Sequence, residues 1–194
     1  PVLVCRNFNL AHAVGFNTYI CHNRVIPLFF STGMSLAQTG FIMRAIRIYQ
    51  PGFYQVANEV ALSAEASQHV GTVLRMQPGA AITLFNGEGW EALAKITEVR
   101  KKQVVVVIDA ASRRSCESPK AIHLAQAISK GDKMEWVVQK AVELGVASIT
   151  PLITERCAIK LDAERMSKKV HQWQAIAISA CEQCGRTVVP VIHM

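Results

Sequence analysis

The sequence predicts an α/β chain in two parts, a small β-barrel followed by a parallel α/β unit. Three observations predict it: short apolar runs between turn residues from 44 to 108, a Ser- and Pro-containing stretch at 110–120, and a strand–helix–strand period beyond it. With 51% hydrophobic and 18% charged residues in a chain of 194, there is enough apolar matter for a sizeable core.

The elements follow in order. Arg44–Tyr49 alternates as a strand, Pro51-Gly52 turns it, and a second strand runs near Gln55–Leu62. Ser63 is a candidate N-cap for a short helix whose Val70, Val73 and Leu74 share a face, and Gln77-Pro-Gly79 breaks it. Strands at Ala80–Phe85, Trp90–Val99 and Gln103–Ile108 are joined by Asn86-Gly-Glu-Gly89 and Arg100-Lys-Lys102. Several short strands with one helix read as a closed or half-closed barrel over 43–115, and Ala110–Lys120 reads as a linker. In the second part, 120–194, Ile122–Ile128 and Ser148–Ile153 read as parallel strands. Between them lies a helix, Lys133–Leu144, with Met134, Val137, Val138, Ala141 and Leu144 inward and Gly145 as its stop. A long helix from Asp162 to Cys184 carries Met166, Val170, Trp173, Ala177, Ala180 and Cys184 at four–three spacing, a buried stripe that Gly185 can cap. Val188–Ile192 would begin the next strand.

Residues 1–42 differ from the rest. They hold Arg6 and Arg24 but no Lys, Asp or Glu, and they begin with Pro1. The expectation is a leader outside the native structure, with a natural start at Met43 or, less favoured, Met34.

The net charge of +7 favours an anionic partner, and nucleic acid is the commonest such partner of a basic protein. No run of about 18 apolar residues suggests a membrane span. The six cysteines, at 5, 21, 116, 157, 181 and 184, have no disulfide-framework spacing, so free thiols in a reducing cytoplasm are expected. Cys181 and Cys184 form a C-x-x-C that closes a helix rather than opening one and lacks two further zinc ligands nearby. Packing is therefore favoured over redox or metal chemistry, and no metal is expected.

Candidate sites are sparse. Glu182 and Arg186 stand at i, i+4, where the simple reading is a surface ion pair. Gln183 and Arg186 at i, i+3 could instead offer an amide and a guanidinium to one ligand. Lys130, in Lys130-Gly-Asp-Lys133, and Arg156, in Thr154-Glu-Arg-Cys-Ala-Ile-Lys160, each follow a parallel strand at the end where open α/β sheets bind ligands. There is no G-x-G-x-x-G, Walker A, H-E-x-x-H or G-x-S-x-G pattern.

Four blocks carry a family resemblance: "MRAIRIYQ" from Met43, "HVGTVLRMQPGAAITLFNGEG" at 69–89, "SKGDKMEWVVQKAVELGVASITPLITERC" at 129–157 and "ACEQCGR" at 180–186. In order over 43–194, the chain resembles the ribosomal RNA small subunit methyltransferase E family. The resemblance implies a PUA-like RNA-binding β-barrel at 43–115 and, at 120–194, the first part of a SPOUT-type trefoil-knot methyltransferase domain. It also implies S-adenosylmethionine as cofactor, methylation of N3 of one uridine in 16S rRNA of the small ribosomal subunit, a homodimer, and a cytoplasmic location. Blocks like the family's "GPEGG" and "LGxxILRxET" do not occur in this sequence. The expectation is thus a fragment lacking the knot and the cofactor-binding segment and not competent alone; an RNA-binding module without catalysis is the alternative. The resemblance makes Lys130, Arg156, Glu182, Gln183 and Arg186 candidates for RNA binding or for lining the active site. Arg44, Arg47, Arg75, Lys101 and Lys102 become candidates for RNA phosphate contacts. It assigns no catalytic base and no cofactor contact.

Overall fold

The computed structural model describes residues 46–100, 103–155, 157 and 162–194, preceded by the backbone of two short strands, β1 (Tyr19–Cys21) and β2 (Arg24–Ile26). Two compact units divide the chain, the larger carrying residues 45–194. In the smaller, β1 and β2 pair antiparallel with Ile20 opposite Val25. The expected leader falls almost wholly outside the described residues.

In the larger unit, β3 (Arg47–Tyr49), β4 (Glu59–Ala61), β5 (Ala81–Phe85), β6 (Trp90–Val99) and β7 (Val104–Arg113) form a five-stranded sheet in the order β3-β5-β6-β7-β4. The β3–β5 pair is parallel and the other pairs are antiparallel. Alternation decides the faces. Ala92, Ala94 and Ile96 of β6 and Val104, Val106 and Ile108 of β7 are buried in one core with Ile48, Leu62, Val70, Ile82 and Leu84, while Leu93 and Lys95 point out.

Three expectations change here. The second strand shrinks to β4, because Ala57 takes a positive φ of 68° and Asn58 folds back to bond the Gln55 carbonyl. Ser63 does cap α1 (Ala64–Gln68), its Oγ accepting from Ala66 N–H, but the helix passes into a π turn at His69–Val73. A π turn advances the chain with an extra residue per turn, so only Val70 stays buried, and Val73 and Leu74 face solvent. Finally, β7 runs on to Arg113 through the expected linker. Its register with β6 steps from Ala94 opposite Ile108 to Leu93 opposite Ala110, and this bulge at Asp109 bends the strand onward.

The second sheet has order β10-β9-β8, from β8 (His123–Ala127), β9 (Ser148–Leu152) and β10 (Val191–Ile192), and both pairs are parallel. As the βαβ pattern requires, α2 (Lys133–Glu143) connects β8 to β9. Its buried residues are Met134, Val138 and Val142; Leu144, expected inward, is the exposed C-cap at 64%. The Asp162 side chain caps α3 (Ala163–Cys184) and Gly185 ends it at φ 86°, the left-handed conformation that suits glycine. The inward stripe of α3 holds Trp173, Ala177, Ala180 and Cys181, with Met166 and Val170 half-buried. Trp173, 2% exposed, anchors this second core, and its removal would cost about 3–5 kcal/mol. Among the described residues no helix is long and apolar enough to cross a membrane.

Candidate functional site

The two sheets are stitched together along the chain from Gly185 to Val189. Gly89 N–H bonds Thr187 C=O at 3.1 Å, Val189 N–H bonds Gly87 C=O at 3.0 Å, and the Thr187 hydroxyl bonds Arg114 C=O at 2.6 Å. Gly87 is required here: its φ is 84°, and a Cβ would lie 3.0 Å from the Tyr49 ring and 3.3 Å from Val189.

Charged side chains complete the seam. Arg186 is only 5% exposed, and its guanidinium grips Glu117 with two bonds, Nε to Oε1 at 3.1 Å and Nη2 to Oε2 at 2.5 Å. Its Nη1 donates to the Val142 carbonyl at the end of α2 at 3.0 Å. The Arg186 carbonyl in turn accepts from Arg47 Nη2 at 3.2 Å. Arg47 pairs with Glu91 at 2.9 Å and lies 5.1 Å from the centroid of the Phe85 ring, with its side chain 9% exposed. Its Nε is buried with no hydrogen-bond partner. Glu91 is shared with Arg114 at 3.2 Å. Glu182 reaches across from the last turn of α3 to accept the Tyr49 N–H, a donor on the free edge of β3, at 3.0 Å. Burial pushes the Glu182 carboxyl above its ordinary range, opposed by that N–H and by the charges of His69 and Arg47.

This geometry corrects several expectations. Glu182 and Arg186 do not pair with each other: one faces β3 and the other faces Glu117. Nor do Gln183 and Arg186 present one surface, since Gln183 is exposed and Arg186 buried, the αL turn at Gly185 having swung the chain inward. Arg47 and Arg186 both have their guanidinium groups committed to carboxylates inside the protein, so neither is placed to grip an RNA phosphate. Lys130, beyond the carboxyl end of β8, and Arg75, at φ 50° after the π turn, are exposed. Arg44, Lys101, Lys102 and Arg156 lie outside the described residues.

The C-x-x-C splits by depth. Cys181 is fully buried in the second core, and Cys184 is half-buried. The Cys181 S–H donates to the Val188 carbonyl at 3.7 Å; contact between the two thiols pushes Cys181 up, as does its burial, and lowers Cys184. Among the described residues no cluster of three or more His, Cys, Asp or Glu could hold a metal.

Beside the seam lies a cleft of about 380 Å³ between the Tyr49–Gly52 and Asn86–Glu88 turns on one side and Gln174, Ile178, Val189 and Val191 on the other. Its two amides each bond the protein's own backbone. Asn86 Oδ1 accepts the N–H groups of Glu88 and Trp90, and its Nδ2 donates to Gly52 C=O. Gln174 Nε2 donates to Pro190 C=O, and its Oε1 accepts Ile192 N–H. Sequence spacing could not have revealed the acids Glu91 and Glu117, because each meets its arginine only through the fold, 44 and 69 residues away.

Comparison with known proteins places these features. Residues 116–194 match the model of an RNA methyltransferase domain, and residues 62–109 match that of an RNA methyltransferase PUA domain. Ribosomal RNA small subunit methyltransferase E of Buchnera aphidicola (Schizaphis graminum) is 37% identical over 149 residues, 77% of this chain and 61% of the relative. The Bacillus subtilis protein of that name is 33% identical over 130 residues, 67% of this chain and 51% of the relative. A putative methyltransferase from Legionella pneumophila, solved in complex with the bound cofactor SAM, is 59% identical with a TM-score of 0.76, over 77% of this chain and 62% of that one. A Neisseria gonorrhoeae ribosomal RNA small subunit methyltransferase E bound to S-adenosyl methionine is 42% identical with a TM-score of 0.73, over 77% and 61%. This chain therefore spans about half to three fifths of the length of these relatives. The fold is the expected α/β class, a PUA-like β-domain followed by sequence of a SPOUT-type methyltransferase domain.

Proposed function

Because the chain belongs to the ribosomal RNA small subunit methyltransferase E family, we propose that it is part of an enzyme that methylates N3 of a uridine in 16S rRNA with S-adenosylmethionine as methyl donor. One observation carries the reading: the two RNA-methyltransferase domain matches occur in order, over a fold shared at 59% identity with a methyltransferase whose structure holds SAM. Of the two halves of such a site we assign the RNA side to the described residues. We assign the cofactor to no residue here, and no catalytic base.

Residues 43–115 are then the RNA-binding β-domain, 120–194 the beginning of the methyltransferase domain, and 1–42 a leader outside both. Lys130 and Gln183, exposed around the second sheet, and Arg75 on the first are the described candidates for RNA contact, joined by Arg44, Lys101, Lys102 and Arg156. The whole protein is proposed to act on the small ribosomal subunit in the cytoplasm as a homodimer, and residues 1–194 alone to bind RNA without methyl transfer.

The test is nucleoside mass spectrometry of 16S rRNA incubated with the whole protein and S-adenosylmethionine. N3-methyluridine is the expected product, and methylation at any other base atom overturns the assignment. Calorimetric titration of residues 1–194 with S-adenosylmethionine should give no binding; micromolar affinity would refute the division of the site. RNA affinity should fall as salt rises, and a flat response would remove the phosphate contacts.

A further inference from the structure

The inner face of the first sheet ends at an aromatic pair, one ring half-buried and the other exposed. Trp90 begins β6 on the same face as Ala92 and Ala94, and across the strand pair it stands directly opposite Arg113 of β7, so both side chains project from one face. Phe53, 72% exposed, packs against Trp90 with ring centroids 5.9 Å apart and planes tilted by 57°. The Arg113 side chain lies over Gly89, where a Cβ would sit 3.9 Å from its Nε.

An exposed phenylalanine on a turn usually wanders, but this turn is held at both ends. Asn86 Nδ2 donates to Gly52 C=O at 3.3 Å, while Asn86 Oδ1 accepts Trp90 N–H at 3.1 Å, so one amide ties the Phe53 turn to the strand carrying its partner ring. Gln50 accepts Ser63 N–H at 2.8 Å and donates to Pro51 C=O, and the buried Tyr54 hydroxyl bonds Gln50 C=O. The cost of ordering the ring is thus met before any ligand arrives. Immediately beside the pair, Pro51, Gly52 and Asn86 form one wall of the 380 Å³ cleft.

We propose that Phe53 and Trp90 form a stacking platform for an unpaired nucleobase of the RNA, with the Arg113 guanidinium taking the adjacent phosphate. Two flat π faces beside a planar cation suit a planar base attached to an anion. An aliphatic protein partner would gain nothing from the guanidinium. A chain of net charge +7 adds a general attraction for that polyanion. Base chemistry on N3 requires the target nucleotide to leave its stack, and a rigid aromatic surface next to a cleft can hold a neighbouring base while it does so. The inference rests on the RNA-methyltransferase reading and deepens it by naming the surface that holds an unstacked base.

The test measures fluorescence anisotropy of a 5′-labelled oligouridylate, alone and annealed to oligoadenylate. The wild-type chain should prefer the single strand. Phe53→Ala and Phe53→Leu should each weaken it about ten-fold, and Phe53→Trp should stay within about two-fold, because stacking needs a π face rather than bulk. Arg113→Ala should reduce the salt slope by about one contact. If the wild type binds RNA and Phe53→Ala binds equally well, the platform is overturned and the functional reading stands. If the wild type binds neither form, the functional reading falls and the platform with it. If Phe53→Ala alters sedimentation but not RNA affinity, the surface serves a protein contact and the proposal is wrong.

Discussion

The seam between the two sheets and the mouth of the first sheet invert the usual distribution of side chains. At the seam, Arg47, Arg186, Glu91, Glu117 and Glu182 are wholly or largely removed from water and bonded to one another or to the backbone, Arg47 Nε alone among the described seam atoms lacking a partner. At the mouth, Phe53 and part of Trp90 face solvent although the core below is closed by small alanines. Charge that would ordinarily be read as a surface for RNA is used to hold architecture, and aromatic surface that would ordinarily be core is left available. Counting basic residues therefore misjudges where a polyanion binds, since burial decides which of them remain available to it.

The largest expected effect tests the seam. Arg186→Met leaves Glu117 and the Val142 carbonyl without their donor and should lower stability by about 3–5 kcal/mol in urea unfolding. A loss under about 1 kcal/mol would mean that the pair is solvated and the contrast false. Gly87→Ala comes next, at about 2 kcal/mol, because it combines a positive φ with a 3.0 Å approach to Tyr49; an unchanged midpoint would show that the sheets part readily.

Glu182 gives a smaller, pH-dependent effect. Its carboxyl is raised by burial, so the folded chain retains a proton that the unfolded chain has released, and this group's contribution falls as pH rises above the ordinary glutamate value of about 4.3. Glu182→Gln keeps an acceptor for Tyr49 N–H and removes the charge. Its melting temperature relative to wild type should therefore rise between pH 4 and pH 7, and a difference that falls instead would show that the carboxylate form is the preferred one. Smallest of all, Phe53→Ala should shift stability by no more than about 0.5 kcal/mol in the same urea experiment, as suits a ring kept for recognition. A loss of 2 kcal/mol or more would make Phe53 a core residue and erase the distinction.

What could be read from the sequence follows physical range. The extent of β6, the βαβ unit, the Ser63 cap and the Gly185 stop are local, set by alternation, helical period and capping chemistry, and they stand where those signals put them. The π turn after His69 was not legible, because the same apolar letters fit an ordinary helix until tertiary packing selects one face. The run of β7 past Ile108 was hidden by a bulge, which takes Asp109 out of the alternation. Of the candidate site residues, Lys130, Arg75 and Gln183 are exposed as a binding role requires, whereas Arg47 and Arg186 are drawn inward by acids far away in sequence.

Segment 114–122 reads as a place to cut and paste, with Ser115, Ser118, Pro119 and an exposed lysine. The pairing of Gly87 with Val189 and of Gly89 with Thr187 makes it a poor crossover point between relatives. A chimera joined there would inherit the Asn86–Gly89 turn from one parent and the 185–189 segment that binds it from the other. The two halves have to be exchanged, and to drift, as a single inherited unit.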